Sequence, residues 1–311
     1  MLPYYTLSAN AHRLALGAKS LANGPLIEID PATYAEEVAL KDAILAGDYP
    51  YYFQALPQSV ASQWEALGLL LHDLCRHYPE DFSLAHVGEK WEWHNHRLGA
   101  SWQFRYGDCS TLPWAPLDWI GRQVQEDLLL LDGSSAACPL TAGQLCFANR
   151  WSLEEKMGRS FLDIHAPVPG FGEQIGRSSN LLLERLKADR PVWRYNWSLV
   201  LGGELDLSTK MYDAVQARTP TVTVANCGAL CFFRTERQTL ARLPQTGAVL
   251  FTVHTYRTPL NTLACDPAWA RRFLEIIDEV SPALLAYKGV APVAAPLREY
   301  LATAAMGDAV G

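Results

Sequence analysis

The spacing of apolar residues splits the chain into a helical opening and a strand-rich remainder. DPATYAEEVALKDAILAG starts at Asp30 and Pro31, a capping residue and a first-turn proline, and ends at Gly47, which predicts a helix. In SVASQWEALGLLLHDLCRHYP, Trp64, Leu67, Leu71 and Leu74 recur at helical period and Pro79 lies just past the end, predicting a second, longer helix. LDWIGRQVQEDLLLL, after Pro113 and Pro116, reads as a third. Beyond it the periods shorten. CPLTAGQLCFANR reads as two short strands or a hairpin bending at Gly143. WSLEEKMG reads as a brief helix with Ser152 and Glu155 as a capping box, and EQIGRSSNLLLERLKA as a surface helix. DPAWARRFLEIIDEV closes the chain as a helix, and the tail ATAAMGDAVG is expected to fray. There is no repeat and no linker. The expectation is one α+β domain over 1–311, an antiparallel sheet wrapped by helices. Its parts are a helical N-terminal layer at 1–80, a sheet core at 85–260, and C-terminal helices and tail at 266–311.

Three late segments, VWRYNWSLVL, LCFFRTERQTL and AVLFTVHTY, are strand candidates with polar residues set among large apolar ones. Alternate residues of a strand leave by opposite faces. Arg194, Asn196 and Ser198 therefore share a face, opposite Trp193, Tyr195, Trp197 and Leu199. Arg234, Glu236 and Gln238 share one, with Thr235, Arg237 and Thr239 opposite, and Leu250, Thr252, His254 and Tyr256 share another. A buried charge must be paired or used. Two readings stay open: the solvent face of a half-exposed sheet, or a sheet cupping a polar ligand or a propionate-bearing cofactor, for which arginine is the natural partner.

Composition narrows the classes. Apolar residues make up 49% and charged residues 19% of 311, as in a globular protein, and a net charge of -7 gives no electrostatic reason to seek nucleic acid or anionic lipid. Ten Trp and thirteen Tyr suit aromatic pockets as well as ordinary core filling. Seven widely spaced Cys without a CxxC argue against a zinc ribbon, an iron–sulfur cluster or a disulfide framework, and suggest a reducing cytoplasm. The opening residues lack the features of a signal peptide, and no apolar run is long enough to span a membrane. GxGxxG after a strand, GxxxxGK[ST], GxSxG and HExxH are absent.

Among the histidines, His165 stands out. In IHAPVPGF it follows an apolar pair, Pro167 and Pro169 stiffen the chain after it, and Gly170 and Gly172 allow a turn. That setting suits an imidazole held against a metal, although a lone histidine in such a place also serves as a hydrogen-bonded core residue. His12, His72 and His77 read as surface or helix positions, and His86, His94 and His96 form a loose group without a carboxylate or thiol at ligand spacing.

The strings QEDLLLL, CFANRWSLEEKMGRSFLDIHAPVPGF, VWRYNWSL and RTERQTLARLPQTGAVLFTVHTY, in this order and spacing, resemble the haem-dependent oxidative N-demethylase family. The likeness runs from about Asp30 to Pro259 and rests most on IHxPVPG together with ERQTLxRLP. It implies a PAS-like core binding haem b, and oxidative removal of a methyl group, with O2, from a small secondary amine such as dimethylamine. Formaldehyde would be released. It also implies electrons from NADPH through a separate flavin and iron–sulfur reductase subunit, hence a hetero-oligomer, with tetrahydrofolate as a one-carbon acceptor in some assemblies. Carried onto this chain, the resemblance makes His165 the axial ligand and His254 the second choice. Glu236 and Arg237 become pocket groups, a carboxylate for the substrate ammonium and a guanidinium for oxygen or a propionate, with Arg194, Tyr195 and Asn196 lining the same cavity. One departure is CFANRW, where a Pro-Ser-like step is expected before Arg150 and Trp151; Ala148 and Asn149 alter a turn there or reshape the cavity. Competing readings are a haem oxygenase acting on a larger amine, a haem-based gas or redox sensor, and a non-haem protein binding a small aromatic ligand.

Overall fold

The computed structural model describes residues 17–218 and 221–307; the opening segment with His12 and the tail residues 308–311 lie outside them. Among the described residues the fold is mixed α+β. The strands are β1 (Lys19–Ser20), β2 (Phe53–Ala55), β3 (Phe82–Val87), β4 (Lys90–Asn95), β5 (Ala100–Phe104), β6 (Asp127–Leu131), β7 (Leu140–Gln144), β8 (Val192–Leu201), β9 (Cys231–Arg242) and β10 (Val249–Pro259). Seven of them form one antiparallel sheet in the order β1-β8-β9-β10-β6-β7-β2, and β3-β4-β5 form a separate small sheet. The helices before the long strands are α1 (Tyr34–Gly47), α2 (Tyr49–Tyr52), α3 (Val60–His77), α4 (Pro116–Gly121), α5 (Leu153–Lys156), α6 (Phe161–His165) and α7 (Arg177–Arg185). Between and after those strands come α8 (Thr209–Arg218), α9 (Val224–Leu230), α10 (Leu260–Ala264), α11 (Pro267–Glu279), α12 (Pro282–Tyr287) and α13 (Ala294–Ala305).

Both faces of the large sheet are covered, and this explains its strand sequences. On one face, Leu128, Leu130, Ala142 and Leu250 pack into a core with α1, α3 and the small sheet, while Leu199, Phe233 and Tyr256 pack against the C-terminal helices. On the other face, Leu129, Leu131, Leu240 and Val253 meet the segment containing α5, α6 and α7. The interior strand β6 is buried throughout, so its leucines carry no alternation.

That burial corrects the third predicted helix. LDWIGRQVQEDLLLL is helical only over α4, after which the chain turns and enters β6. Lys41 of α1 enforces the turn: its buried ammonium donates to the carbonyl oxygens of Gly121, Val124 and Glu126 at 2.7, 3.2 and 2.5 Å. A continuous helix would need the first of these for its own ladder. The expected hairpin at Gly143 is likewise a single strand, β7. A Cβ on Gly143 would lie 2.8 Å from Cδ2 of Leu129 and 2.8 Å from Cδ2 of Leu153, so the glycine provides for close packing and not for a bend. The first helix starts at Tyr34, with Asp30 in the turn before it. The tail is helical through Ala305. The capping box of α5, the long helix α3 and the strands β8, β9 and β10 fall where the sequence places them.

Candidate functional site

The three long strands are in register such that Arg194 pairs with Gln238, Asn196 with Glu236 and Ser198 with Arg234. These six side chains therefore stand on one face, toward the segment that carries α5 and α6. Glu236 is the carboxylate at their centre. Its Oε2 accepts from Asn196 Nδ2 at 3.1 Å and from Gln238 Nε2 at 3.0 Å, and its Oε1 lies 3.5 Å from Arg234 Nε. Arg234 is fully buried and also donates to the carbonyl oxygens of Leu205 and Phe147 and to Thr255 Oγ1. Nε of Arg194 and of Arg234 is enclosed without a hydrogen bond, but that of Arg234 faces Glu236, whereas Arg194 has no carboxylate within ion-pair distance among the described residues. Asn149 reaches this face and donates to Ser198 Oγ at 3.0 Å.

His165 borders the same region. It is the last residue of α6, with the proline segment following it, and its half-buried ring lies between Phe161 and Phe171 at centroid distances of 4.4 and 4.7 Å. Nδ1 is 2.8 Å from the Phe161 carbonyl oxygen, which can only accept, so Nδ1 carries the proton and the neutral ring has its lone pair on Nε2. Burial pushes its pKa down to about 4, and the charges of Arg194 and Lys156 add to that, while the bond to Phe161 opposes it. At neutral pH the ring is therefore a base or a metal ligand, not a cation.

The other predicted residues do not join this group. Tyr195, Arg237 and His254 align across β8, β9 and β10 on the opposite face. There Arg237 donates to the carbonyl oxygens of Leu26 and Pro25 at 3.1 and 2.6 Å, and its Nε lies 3.3 Å from Glu28. His254 is buried with Nδ1 3.0 Å from Glu126, which also accepts from the Glu28 amide at 2.8 Å. The Tyr195 ring sits edge-on to Trp193. These contacts tie the N-terminal segment to the sheet. The shared cavity expected for Arg194, Tyr195, Asn196, Glu236 and Arg237 is thus corrected: the pleat divides it, and a buried network already occupies the second side.

One group escaped the sequence. The turn after α12 wraps the edge of β8, where Leu199 N–H donates to the Lys288 carbonyl oxygen at 2.7 Å. Gly289 has φ 79°, and a Cβ there would meet the Leu199 oxygen at 2.2 Å, so the approach requires glycine. The Lys288 side chain then reaches over the edge, donating to Asn196 Oδ1 at 2.7 Å and to the Trp197 carbonyl oxygen at 2.8 Å. Burial brings its pKa down to about 7; Arg194 and Arg150 lower it further while Glu236 opposes them. Arg150, in a left-handed conformation, fixes the turn by donating to the Tyr287 carbonyl oxygen at 3.0 Å. Only the Lys-Gly pair marks this place in the sequence, and it reads as an ordinary helix end.

The face and its border thus offer a neutral imidazole, one oriented carboxylate and two cationic groups, Arg194 and Lys288, with no carboxylate in ion-pair contact among the described residues. A family model described as haem-dependent oxidative N-demethylase, alpha subunit-like, matches residues 17–298.

Proposed function

Because the chain belongs to the haem-dependent oxidative N-demethylase alpha subunit-like family, we propose that it removes a methyl group oxidatively from a small secondary amine, dimethylamine being the reference substrate. The proposed place is the sheet face of Arg194, Asn196 and Glu236. The balanced conversion is R–NH–CH3 + O2 + 2 e⁻ + 2 H⁺ → R–NH2 + HCHO + H2O. The observation that carries this reading is His165, whose Nδ1 is committed to Phe161 and whose neutral Nε2 has no hydrogen bond among the described residues. The residues fit a haem b: a ligation-competent imidazole, an aromatic wall and an enclosed guanidinium without an acceptor. When bound, haem supplies the activation of oxygen, and the protein supplies position and electrostatics.

His165 would hold the iron, with Arg194 and Asn196 against the macrocycle. Glu236 would bind the substrate ammonium. Asn196 and Gln238 keep its carboxylate oriented, and Arg234 Nε faces it at 3.5 Å. Fixing the amine by its nitrogen leaves the methyl group as the part free to face the oxidant. Tyr195, Arg237 and His254 would serve the fold and not the pocket. The family's "alpha subunit-like" description supports a partner subunit. We take it to be a flavin and iron–sulfur reductase fed by NADPH, with tetrahydrofolate receiving the one-carbon product, in a PAS-like protein of the cytoplasm. No helix among the described residues is long and apolar enough to cross a membrane.

The test is an absorption spectrum of protein loaded with iron protoporphyrin IX, with and without dithionite and carbon monoxide, followed by formaldehyde release from dimethylamine with a reductase. A Soret band and dimethylamine-dependent formaldehyde support the reading. Protein that takes up no porphyrin sinks it, and a tight oxygen complex without turnover of any methylamine would favour a sensor.

A further inference from the structure

Charge balance on this sheet face leads beyond the residues assigned so far. Arg194 Nε is enclosed and has no acceptor, so a half-buried guanidinium is left incompletely bonded. Lys288 Nζ donates to two neutral oxygens, of Asn196 and Trp197, and lies 5.1 Å from the centroid of the Trp197 ring, with no carboxylate in ion-pair contact among the described residues. Glu236 offsets only part of this charge: its one negative charge favours the charged forms of Arg194 and Lys288 but is shared with Arg234, which lies 3.5 Å from it. Arg150, which holds the Tyr287–Gly289 turn, adds a further positive charge close enough to disfavour the lysine's own. A half-buried face with cations in excess favours an anion that enters it.

We propose that Arg194 and Lys288 form a cradle for a ligand carboxylate. The proposal rests on the reading of this face as the ligand site and specifies what binds there. The guanidinium supplies a directional donor, and the lysine, brought in from the C-terminal turn, supplies a second charge from the edge of β8. Asn196 links the two halves of the site: its Oδ1 accepts from Lys288 and its Nδ2 donates to Glu236. An anion that draws Lys288 toward itself thus acts on the residue that orients the amine-binding carboxylate. Two sources supply this chemistry, a porphyrin propionate or the carboxylate of an N-methylated amino acid, and the arms of one experiment separate them.

Iron protoporphyrin IX and its dimethyl ester are titrated into haem-free protein and followed at the Soret band. The free acid is expected to bind at least roughly tenfold more tightly than the ester, the scale of a lost charge-assisted hydrogen bond. Arg194→Met and Lys288→Met should each remove most of that preference, and Arg194→Lys and Lys288→Arg should restore part of it. The wild-type comparison of acid with ester stands even where a variant fails to fold. In the second arm, N-methylglycine is titrated into haem-loaded protein; a spectral shift abolished in both methionine variants assigns the cradle to the substrate carboxylate. Equal affinity for acid and ester, together with no N-methylglycine shift that depends on Arg194 and Lys288, overturns the proposal. Should the wild type bind neither porphyrin, the haem reading fails, and calorimetry of N-methylglycine on the same protein decides the cradle alone. Binding lost in both variants supports it, and no binding, or binding that survives in them, overturns it.

Discussion

Glu236 and Arg237 are consecutive in β9 and reach opposite sides of the sheet. Glu236 accepts from Asn196 at 3.1 Å on the face below α5 and α6, whereas Arg237 donates to Leu26 and Pro25 of the N-terminal segment. A carboxylate on the proposed ligand face and a guanidinium tied to the N-terminal segment thus sit one residue apart, separated by the thickness of a strand. Substitutions at the two positions should have different signatures.

His165→Ala should abolish the Soret band of haem-loaded protein or displace it, with the far-ultraviolet circular dichroism unchanged because the ring is only half buried on a one-turn helix. Added imidazole should bring part of the original spectrum back. An unaltered spectrum in the variant would mean that another residue holds the iron.

Glu236→Gln keeps the shape and removes the charge that would hold a substrate ammonium. The expected result is a fall in kcat/KM for dimethylamine of at least about tenfold, with the Soret band retained. Wild-type turnover in this variant would exclude Glu236 as the amine anchor.

His254→Ala should leave the haem spectrum alone and lower stability by about 3 kcal/mol, because it strips the buried Glu126 of its partner. Burial opposes the charge on His254, but Glu126, with help from Glu37 and Glu28, prevails and raises its pKa above 6.5. The folded state therefore holds a proton that the unfolded state releases above that value. The pair's contribution is complete below about pH 6.5 and is lost as pH rises through the raised value. Urea midpoints measured across this range should converge between wild type and variant toward alkaline pH; a gap that widens instead would contradict the sign.

Gly143→Asn separates a buried strand from a turn. A hairpin bend would accept asparagine. In β7 the new side chain meets Leu129 and Leu153, and even its Cβ falls 2.8 Å from each, so a loss of about 1–3 kcal/mol or more is expected from thermal or urea unfolding. A midpoint equal to wild type would mean that α5 does not pack on the strand as described.

Local pattern was enough wherever one side of an element stays distinct from the other. The apolar period of α3, the reciprocal cap of α5 and the alternation in β8, β9 and β10 are visible in the chain and hold in the fold. The same alternation already set Glu236 and Arg237 apart, and grouping them as pocket residues overrode it. Pattern failed at LDWIGRQVQEDLLLL, because a strand buried on both faces has no polar side to mark its period, and because Lys41, distant in sequence, claims the carbonyls of the turn. The small sheet of β3, β4 and β5 went unread as well.

By itself the sequence determined the α+β class, the family, and the side-chain chemistry at His165, Arg194, Asn196 and Glu236. Only the tertiary structure decided how the faces of the three strands align and what each one meets, and that Lys288 arrives from the far end of the chain. Strand register and the docking of a C-terminal turn on a sheet edge are set by packing between segments remote in sequence. That free energy belongs to no single stretch of residues.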